Sequence, residues 1–196
     1  MRKKDPAKEE AILNAAVQEF AVQGFHATKM SSIAERAGVA AGSVYLYFEN
    51  KESIILRIID QIWKRLFDDY EEIWKRTDFS AIEKIDALID LIFDLFSGNP
   101  EQAIIFVNEQ HHLMQTGFEI LKQQENKFID LCQLVVVEGV EKGLFNPNTD
   151  ITIFKDFVFG GLRHLLSIWA HDPEKYHLTK MREETKQLIK KGILSN

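Results

Sequence analysis

The sequence predicts an all-α fold. Apolar residues recur at three- and four-residue spacing in almost every segment, and no stretch shows the alternation typical of a β-strand. Glycine, asparagine and proline residues stand at the ends of these apolar segments, where they end helices. With 45% hydrophobic and 28% charged residues among 196, the composition is that of a globular protein with a substantial core.

The first 50 residues contain patterns for three helices. An apolar stripe predicts the first helix over 6–23, and Gly24 ends it. A second, short helix is expected over 28–37, where Gly38 ends it, and a third over 42–48. Polar residues offer alternative N-caps for the second helix: Thr28, Ser31, or Ser32 paired with Glu35 in a capping box.

The second and third helices are too short to fold alone, so they need a small core shared with their neighbours. Gly38 permits the left-handed backbone of a tight turn, and Ala34 and Ala37 are small enough for close helix crossing. The expected core residues are Ile33, Ala34, Val39, Val44 and Phe48. Two helices joined in this way are typical of a helix-turn-helix, whose second helix enters the DNA major groove. The same features also suit any compact helix pair.

The rest of the chain predicts a C-terminal helical bundle. Its helices are expected over 51–75, 82–96, 101–114, 117–142, 151–169 and 178–191. Asn50 can cap the first of these helices and Asp150 the fifth. The helix over 151–169 is apolar on nearly every side, which in a soluble protein predicts a dimer interface. The side chains expected to point inward from the last helix are Met181, Thr185, Leu188 and Ile189.

The sequence over 12–55 closely resembles the TetR family of repressors. The matching residues are Gly24, Phe25, Thr28, Ile33, Ala34, Ala37, Gly38, Val39, Gly42, Tyr45, Tyr47, Phe48, Lys51 and Glu52. The resemblance implies a three-helix DNA-binding domain over 1–50, followed by a helical domain over 51–196 for ligand binding and dimerisation. The C-terminal part resembles the family in its architecture only.

The resemblance also implies which residues contact DNA. The residues that it places near base edges or phosphates are Thr28, Lys29, Ser32, Gly42, Ser43, Tyr45, Tyr47 and Lys51. Gly42 and Ser43 would lie closest to the bases, and Lys51 would meet a phosphate. For Tyr45, packing in the small core is an alternative interpretation.

Three residues depart from the family pattern. Ala40 and Ala41 stand where a capping serine and a polar or basic residue are often found, so we expect few direct contacts with bases. Glu49 adds negative charge near the expected phosphate path. The basic residues at 2–4 could supply affinity for DNA instead.

Aromatic residues are frequent in the C-terminal part, and several large rings in one bundle favour an apolar cavity between helices. The residues expected to contact a ligand are Trp63, Phe67, Phe93, Phe106, Glu109, Phe128 and Phe157. Gly160 and Gly161 indicate close approach of a ligand or a partner helix. Arg163 needs an interfacial carboxylate or an anionic ligand group as a partner. The strings 39–42 and 45–48 resemble fatty-acid-degradation repressors of the family, which implies a fatty acyl-CoA effector.

Other classes of function lack support in the sequence. It contains no nucleophile-and-base signature or phosphate loop of an enzyme, and no cofactor is expected. Glu109 and His112 form one possible metal motif, whereas bundle metal sites use two such copies, so hydrogen-bonded side chains are the alternative. Cys132 fits a small core residue in a reducing cytoplasm. No apolar stretch is long enough to cross a membrane.

The charge distribution is compatible with a DNA partner. The net charge is −6, but residues 1–51 hold 7 Lys and Arg against 6 Asp and Glu, so the excess acid is C-terminal. The sequence therefore predicts a ligand-responsive, homodimeric repressor that binds double-stranded operator DNA and responds to a small hydrophobic effector. The alternatives are a protein-interaction adaptor that keeps the helix-turn-helix as a scaffold, and a repressor of an efflux gene for lipophilic compounds.

Overall fold

The computed structural model describes residues 5–109, 113 and 119–194, and the fold within these ranges is all-α. The α-helices described there are α1 (Pro6–Gln23), α2 (Met30–Arg36), α3 (Ala41–Val44), α4 (Lys51–Trp74), α5 (Ala81–Phe96), α6 (Pro100–Ile104), α7 (Glu119–Glu141), α8 (Ile151–His171) and α9 (Leu178–Ile193). This arrangement confirms the predicted fold class.

Polar side chains cap the starts of two long helices. The Asn50 side chain accepts the N–H of Ser53 at 2.8 Å, and the Ser53 hydroxyl accepts the N–H of Asn50 at 3.3 Å, so α4 begins with a capping box. Asp150 accepts the N–H of Ile153 at 3.1 Å at the start of α8. Both caps were expected from the sequence and are confirmed.

Three local predictions were wrong. Helix α3 ends at Val44 rather than at residue 48. The residues after it form a turn, in which the Phe48 N–H donates to the Val44 carbonyl. No side chain caps α2, because the Thr28 hydroxyl donates instead to the Gly24 carbonyl at 2.8 Å. Leu188 was expected to point inward, but it is 70% exposed.

The predicted helix over 101–114 divides into two parts. Helix α6 is followed directly by a π-helical turn, Ile105–Glu109, which is wider than an α-helix and has one more residue in each hydrogen-bonded ring. Most of the remaining predicted helix lies outside the described ranges, and with it His112 of the possible metal motif. The basic residues at 2–4 lie outside them as well.

The N-terminal helices and the start of α4 enclose a small core. The residues predicted to form it are all buried or packed against it: Ile33, Ala34, Val39, Val44 and Phe48. Gly38 has a φ of 67°, the left-handed conformation that the turn between α2 and α3 requires. An ion pair of 2.5 Å between Arg36 and the buried Glu19 ties α2 to α1. The helix-turn-helix is therefore held from behind by α1 and α4.

Helix α4 continues from this core into a bundle with α5 to α9. The packing of α5 against α9 is antiparallel, and three ion-paired positions follow the contact: Asp86 with Lys190, Asp90 with Lys186, and Asp94 with Arg182. Lys84 of α5 is buried and pairs with Glu138 of α7 at 2.8 Å. Of the described helices, none combines the length and apolar character needed to span a membrane.

Candidate DNA-binding and ligand sites

An exposed surface of the helix-turn-helix is formed by α3 and the turn after it. Gly42 is exposed and Ser43 is half-buried. Tyr45 and Leu46 are 58% and 64% exposed, so the interpretation of Tyr45 as a core residue is wrong. A Cβ added to Gly42 would meet nothing within 4 Å, which means that the fold itself does not require glycine there. Leu46 was not among the predicted contacts, and it enlarges the same surface.

Tyr47 joins the turn after α3 to the start of the chain. It is half-buried, and its hydroxyl accepts the N–H of Asp5 at 3.0 Å. Asp5 is the N-cap of α1, and its carboxylate accepts the N–H of Ala7 at 3.0 Å. The Tyr47 hydroxyl therefore helps to hold α1 against the helix-turn-helix.

The ammonium group of Lys51 is bound within the DNA-binding domain. Its Nζ donates to the carbonyls of Phe25 at 2.8 Å, His26 at 2.7 Å and Thr28 at 3.3 Å. The same Nζ lies 4.8 Å from the centre of the Phe25 ring. These carbonyls follow the end of α1, where helical partners are missing. Lys51 therefore stabilises the turn between α1 and α2.

The start of α2 carries three of the predicted DNA contacts. Thr28 is 3% exposed, and its hydroxyl donates hydrogen bonds to the backbone carbonyls of Glu19 and Gly24. Ser32 is half-buried, whereas Lys29 is exposed at the N-cap position. The Lys29 side chain forms no ion pair or hydrogen bond with the other residues that the structure describes. Among these three side chains, that of Lys29 is the most accessible to a DNA phosphate.

An apolar cavity of about 80 Å³ lies among α5, α7, α8 and α9. Its walls include Ile85, Leu88, Phe128, Val136, Phe154 and Leu162. Cys132, the sole cysteine of the chain, also lines it. Burial raises the pKa of the Cys132 thiol to about 12, so the thiol stays protonated at neutral pH. Among the described residues, no group of three His, Cys, Asp or Glu side chains is suited to hold a metal ion.

A second, smaller cavity of about 20 Å³ lies beside the first. The residues that line both cavities are Ile92, Phe128, Phe159 and Leu162. Phe106 lines the second cavity on the side of the π-helical turn, and its ring centre lies 5.2 Å from that of Trp63 and 5.3 Å from that of Phe96. The linings of the two cavities suit the apolar part of a ligand.

The second cavity continues into a polar pocket that faces solvent. This pocket has a volume of about 590 Å³ and shares part of its wall with the second cavity: Val107, Glu125, Phe159 and Arg163. Arg163 is half-buried at this junction, and its guanidinium forms no ion pair or hydrogen bond with any other described residue. A half-buried guanidinium with no partner among the described side chains suits an anionic group of a ligand.

The predicted ligand residues are divided between the cavity wall and the layer behind it. Phe106 and Phe128 line the cavities. The rings of Trp63 and Phe67 pack against Phe128 with centres 5.8 and 6.0 Å away, so they support the wall from behind. Phe93 is fully buried in the core.

Two further predictions placed a side chain on the wrong side of its helix. The Glu109 carboxylate accepts the N–H of Phe25 at 3.3 Å and therefore faces the DNA-binding domain. Phe157 is 78% exposed on the outside of α8. The cavity side of α8 carries Val158 and Leu162, whose four-residue spacing is the sequence signal that assigns them to one inward face.

Comparisons with known proteins agree with this geometry. Residues 12–58 match the family described as bacterial regulatory proteins, tetR family, and residues 57–192 match the C-terminal region of YsiA-like proteins. The chain is 30% identical over 197 residues to the fatty acid metabolism regulator protein of Bacillus subtilis (strain 168), with 98% of each chain covered. It is 28% identical over 157 residues to the HTH-type transcriptional repressor KstR2 of Mycolicibacterium smegmatis, with 78% of this chain and 74% of that protein covered.

A solved structure extends the similarity to the whole fold. The transcriptional regulator FadR from Bacillus subtilis, in complex with stearoyl-CoA, superposes with a TM-score of 0.76 at 28% identity, covering 94% of this chain and 98% of that one. The N-terminal match includes the helix-turn-helix, and the C-terminal match includes the helices around the cavities. The chain therefore belongs to the TetR family of bacterial regulatory proteins and is a transcriptional regulator.

Proposed function

We propose that this regulator is a homodimeric repressor that binds operator DNA through its helix-turn-helix and is released from it by a long-chain fatty acyl-CoA. The observation that carries the choice of effector is the pair of apolar cavities that opens at Arg163. An acyl-CoA has matching chemistry, because it joins a long apolar chain to phosphate groups that bind guanidinium.

The apolar lining of the cavities supports an acyl chain as the occupant. A chain that enters beside Arg163 passes Phe106 in the second cavity and continues past Phe128 into the first. The open volumes of about 20 and 80 Å³ are below the roughly 300–1,000 Å³ of typical small-molecule sites, so binding requires the surrounding helices to move apart. The Bacillus subtilis FadR, a relative at 28% identity, was solved with stearoyl-CoA, which supports the same class of effector here.

The exposed surface of α3 supports the DNA-binding part of the proposal. Gly42 and Ser43 stand at the start of the helix, where a recognition helix approaches base edges. Tyr45 is exposed in the next turn, and Lys29 offers a cation at the start of α2. Cations and polar groups around a short recognition helix favour phosphate contacts that orient the domain on DNA.

The outer face of α8 supports the homodimer. Ile153 and Phe157 are 67% and 78% exposed, and Leu188 of the adjacent α9 is 70% exposed. Gly160 and Gly161 of α8 have open space where a Cβ would stand, which leaves room for another helix to approach closely. A second copy of the chain would bury this apolar surface.

The effector is tested by titrating protein bound to operator DNA, selected from a pool of random duplexes, with stearoyl-CoA, CoA and stearate. Stearoyl-CoA is expected to release the DNA at micromolar concentration. CoA and stearate should not release it at that concentration, because CoA lacks the apolar chain and stearate lacks the phosphates. Arg163→Gln should raise the required concentration about tenfold or more, because a charge-assisted contact is lost. The matched control is Arg65→Gln, which removes an exposed arginine of α4 and should leave the release unchanged.

Two outcomes would contradict this proposal. If stearoyl-CoA does not release the DNA, the effector is wrong. If neutral lipophilic compounds release it equally well from the parent and from Arg163→Gln, a regulator of lipophile efflux is the better description.

A further inference from the structure

We infer that Glu109 couples the ligand cavities to the DNA-binding domain by holding the turn after α1. Its carboxylate accepts the N–H of Phe25 at 3.3 Å, although the two residues are 84 positions apart in sequence. A ligand that displaces the π-helical turn Ile105–Glu109 withdraws this carboxylate. The inference rests on the proposed function in one respect, namely that the cavities bind the effector.

Phe25, whose N–H donates to Glu109, is held by several contacts within the DNA-binding domain. The Phe25 side chain is 4% exposed, and its ring centre lies 5.4 Å from that of Phe20 in α1. The Phe25 carbonyl accepts Lys51 Nζ at 2.8 Å, so this residue is bound on one side by α4 and on the other by Glu109. Because α2 begins five residues later, at Met30, the position of Phe25 governs where α2 and α3 present their surface.

Glu109 belongs to an element that lines the proposed ligand site. Glu109 is the last residue of the π-helical turn, and Phe106 and Val107 of the same turn line the second cavity. Ile105 and Val107 are 0% and 4% exposed, so the turn is packed between the cavity and the core. A ligand that enters the second cavity therefore presses on the element that carries Glu109.

The π-helical geometry makes a discrete response possible. A π-helical turn holds one residue more than the α-helical turn that it replaces, and such turns are rare and concentrated at functional sites. If the turn changes to α-helical geometry, its last residue, Glu109, moves around the helix axis by most of the roughly 100° that separates successive residues of an α-helix. A rotation of that size carries the Glu109 carboxylate away from Phe25. The DNA-binding domain then loses its contact with the π-helical turn at that point.

The test measures coupling rather than affinity alone. The affinity of the protein for stearoyl-CoA is determined with and without bound operator DNA, and the ratio of the two is the coupling factor, about 5- to 150-fold in typical allosteric proteins. In Glu109→Ala we expect this factor to fall below about threefold, with stearoyl-CoA affinity of the free protein within about twofold of the parent. Glu109→Gln keeps an oxygen acceptor and should retain most of the coupling.

The matched control is Glu101→Ala, which removes the same charge from the preceding helix, α6, and should behave like the parent. A second measurement does not depend on the effector. Hydrogen exchange of the Phe25 amide, followed by NMR in the ligand-free full chain, should be faster in Glu109→Ala than in the parent and in Glu101→Ala.

The outcomes separate this inference from the proposed function. If Glu109→Ala keeps the coupling factor of the parent, or if its Phe25 amide exchanges no faster, the inference is overturned. If stearoyl-CoA fails to release DNA from the parent, the choice of effector is wrong. The Phe25 exchange rate and the operator affinity of ligand-free Glu109→Ala then still decide the role of Glu109, since both should change if it holds the turn.

Discussion

Two lysines on the DNA-binding domain have opposite environments. Both line the groove between the start of α2 and the start of α4. Lys51 donates to three backbone carbonyls of the turn after α1, whereas Lys29 is exposed and has no partner among the described residues. The resemblance to the TetR family implies that both lysines contact DNA, but in the structure Lys51 also stabilises the turn after α1. Their substitution should therefore have different effects.

We predict that Lys29→Ala lowers the slope of log affinity against log salt by about 1, because one phosphate contact is lost. Its thermal stability should match that of the parent. Lys51→Ala should instead lower the free energy of unfolding by about 1 to 3 kcal/mol, because the Lys51 ammonium group bonds to the carbonyls of the turn. Salt-dependent binding and urea unfolding of both variants check this. Equal stability of the two variants would show that the internal bonds of Lys51 contribute little.

At the scale of the helices, the bundle is joined by ion pairs between elements that are distant in sequence. Lys84 of α5 is 6% exposed and pairs with Glu138 of α7, and Lys142 binds the other oxygen of the same carboxylate at 2.6 Å. Hydrogen bonds from Lys142 and Lys84 lower the pKa of Glu138 from its ordinary value of 4.5. A carboxyl with a lowered pKa in the folded state stabilises that state above its ordinary pKa and loses the effect as the pH falls.

We predict that Glu138→Gln lowers the free energy of unfolding by about 2 kcal/mol at pH 7, because the buried Lys84 loses its partner. The difference from the parent should diminish below about pH 4.5 and vanish once the carboxyl is protonated in the folded state. Urea unfolding at pH 7 and in acid checks this sign. Glu141→Gln, at an exposed position of α7, is the control. A difference that stays constant with pH would mean that the charge of Glu138 is not the cause.

At the scale of the whole molecule, two elements connect the DNA-binding domain to the cavities. Helix α4 contributes Ile54 and Ile55 to the N-terminal core and Trp63 to the layer behind the cavities. The contact from Glu109 to Phe25 is a second connection, through the π-helical turn. Because operator DNA requires two helix-turn-helix units at a set distance, these connections have a functional effect only in a dimer.

We predict that Phe157→Glu converts a dimer into a monomer, because it places a charge in the apolar outer face of α8. Light scattering should give twice the chain mass of 22.7 kDa for the parent and the single mass for the variant. Operator affinity should fall, while stearoyl-CoA affinity should be kept, since Phe157 lies outside the cavities. Val22→Glu, at a 77% exposed residue of α1, is the control. A parent with the single-chain mass would rule out the proposed interface.

Most of the helices and the small core of the helix-turn-helix could be predicted from the sequence alone. The span of α1, the caps at Asn50 and Asp150, and the turn at Gly38 follow from short-range chemistry, since each depends on residues within a few positions. The proposal of an apolar cavity also came from the sequence, because so many large rings in one bundle leave space between helices.

Which side chains meet depends on how helices that are distant in the sequence pack together. Glu109 was expected to contact ligand, but its partner is 84 residues away in sequence, and no local pattern reports such a contact. Phe157 was expected inside because α8 is apolar on nearly every side, so its periodicity does not distinguish the cavity face from the outer face. Helical periodicity specifies which residues share a face, whereas the packing of other helices determines what that face contacts.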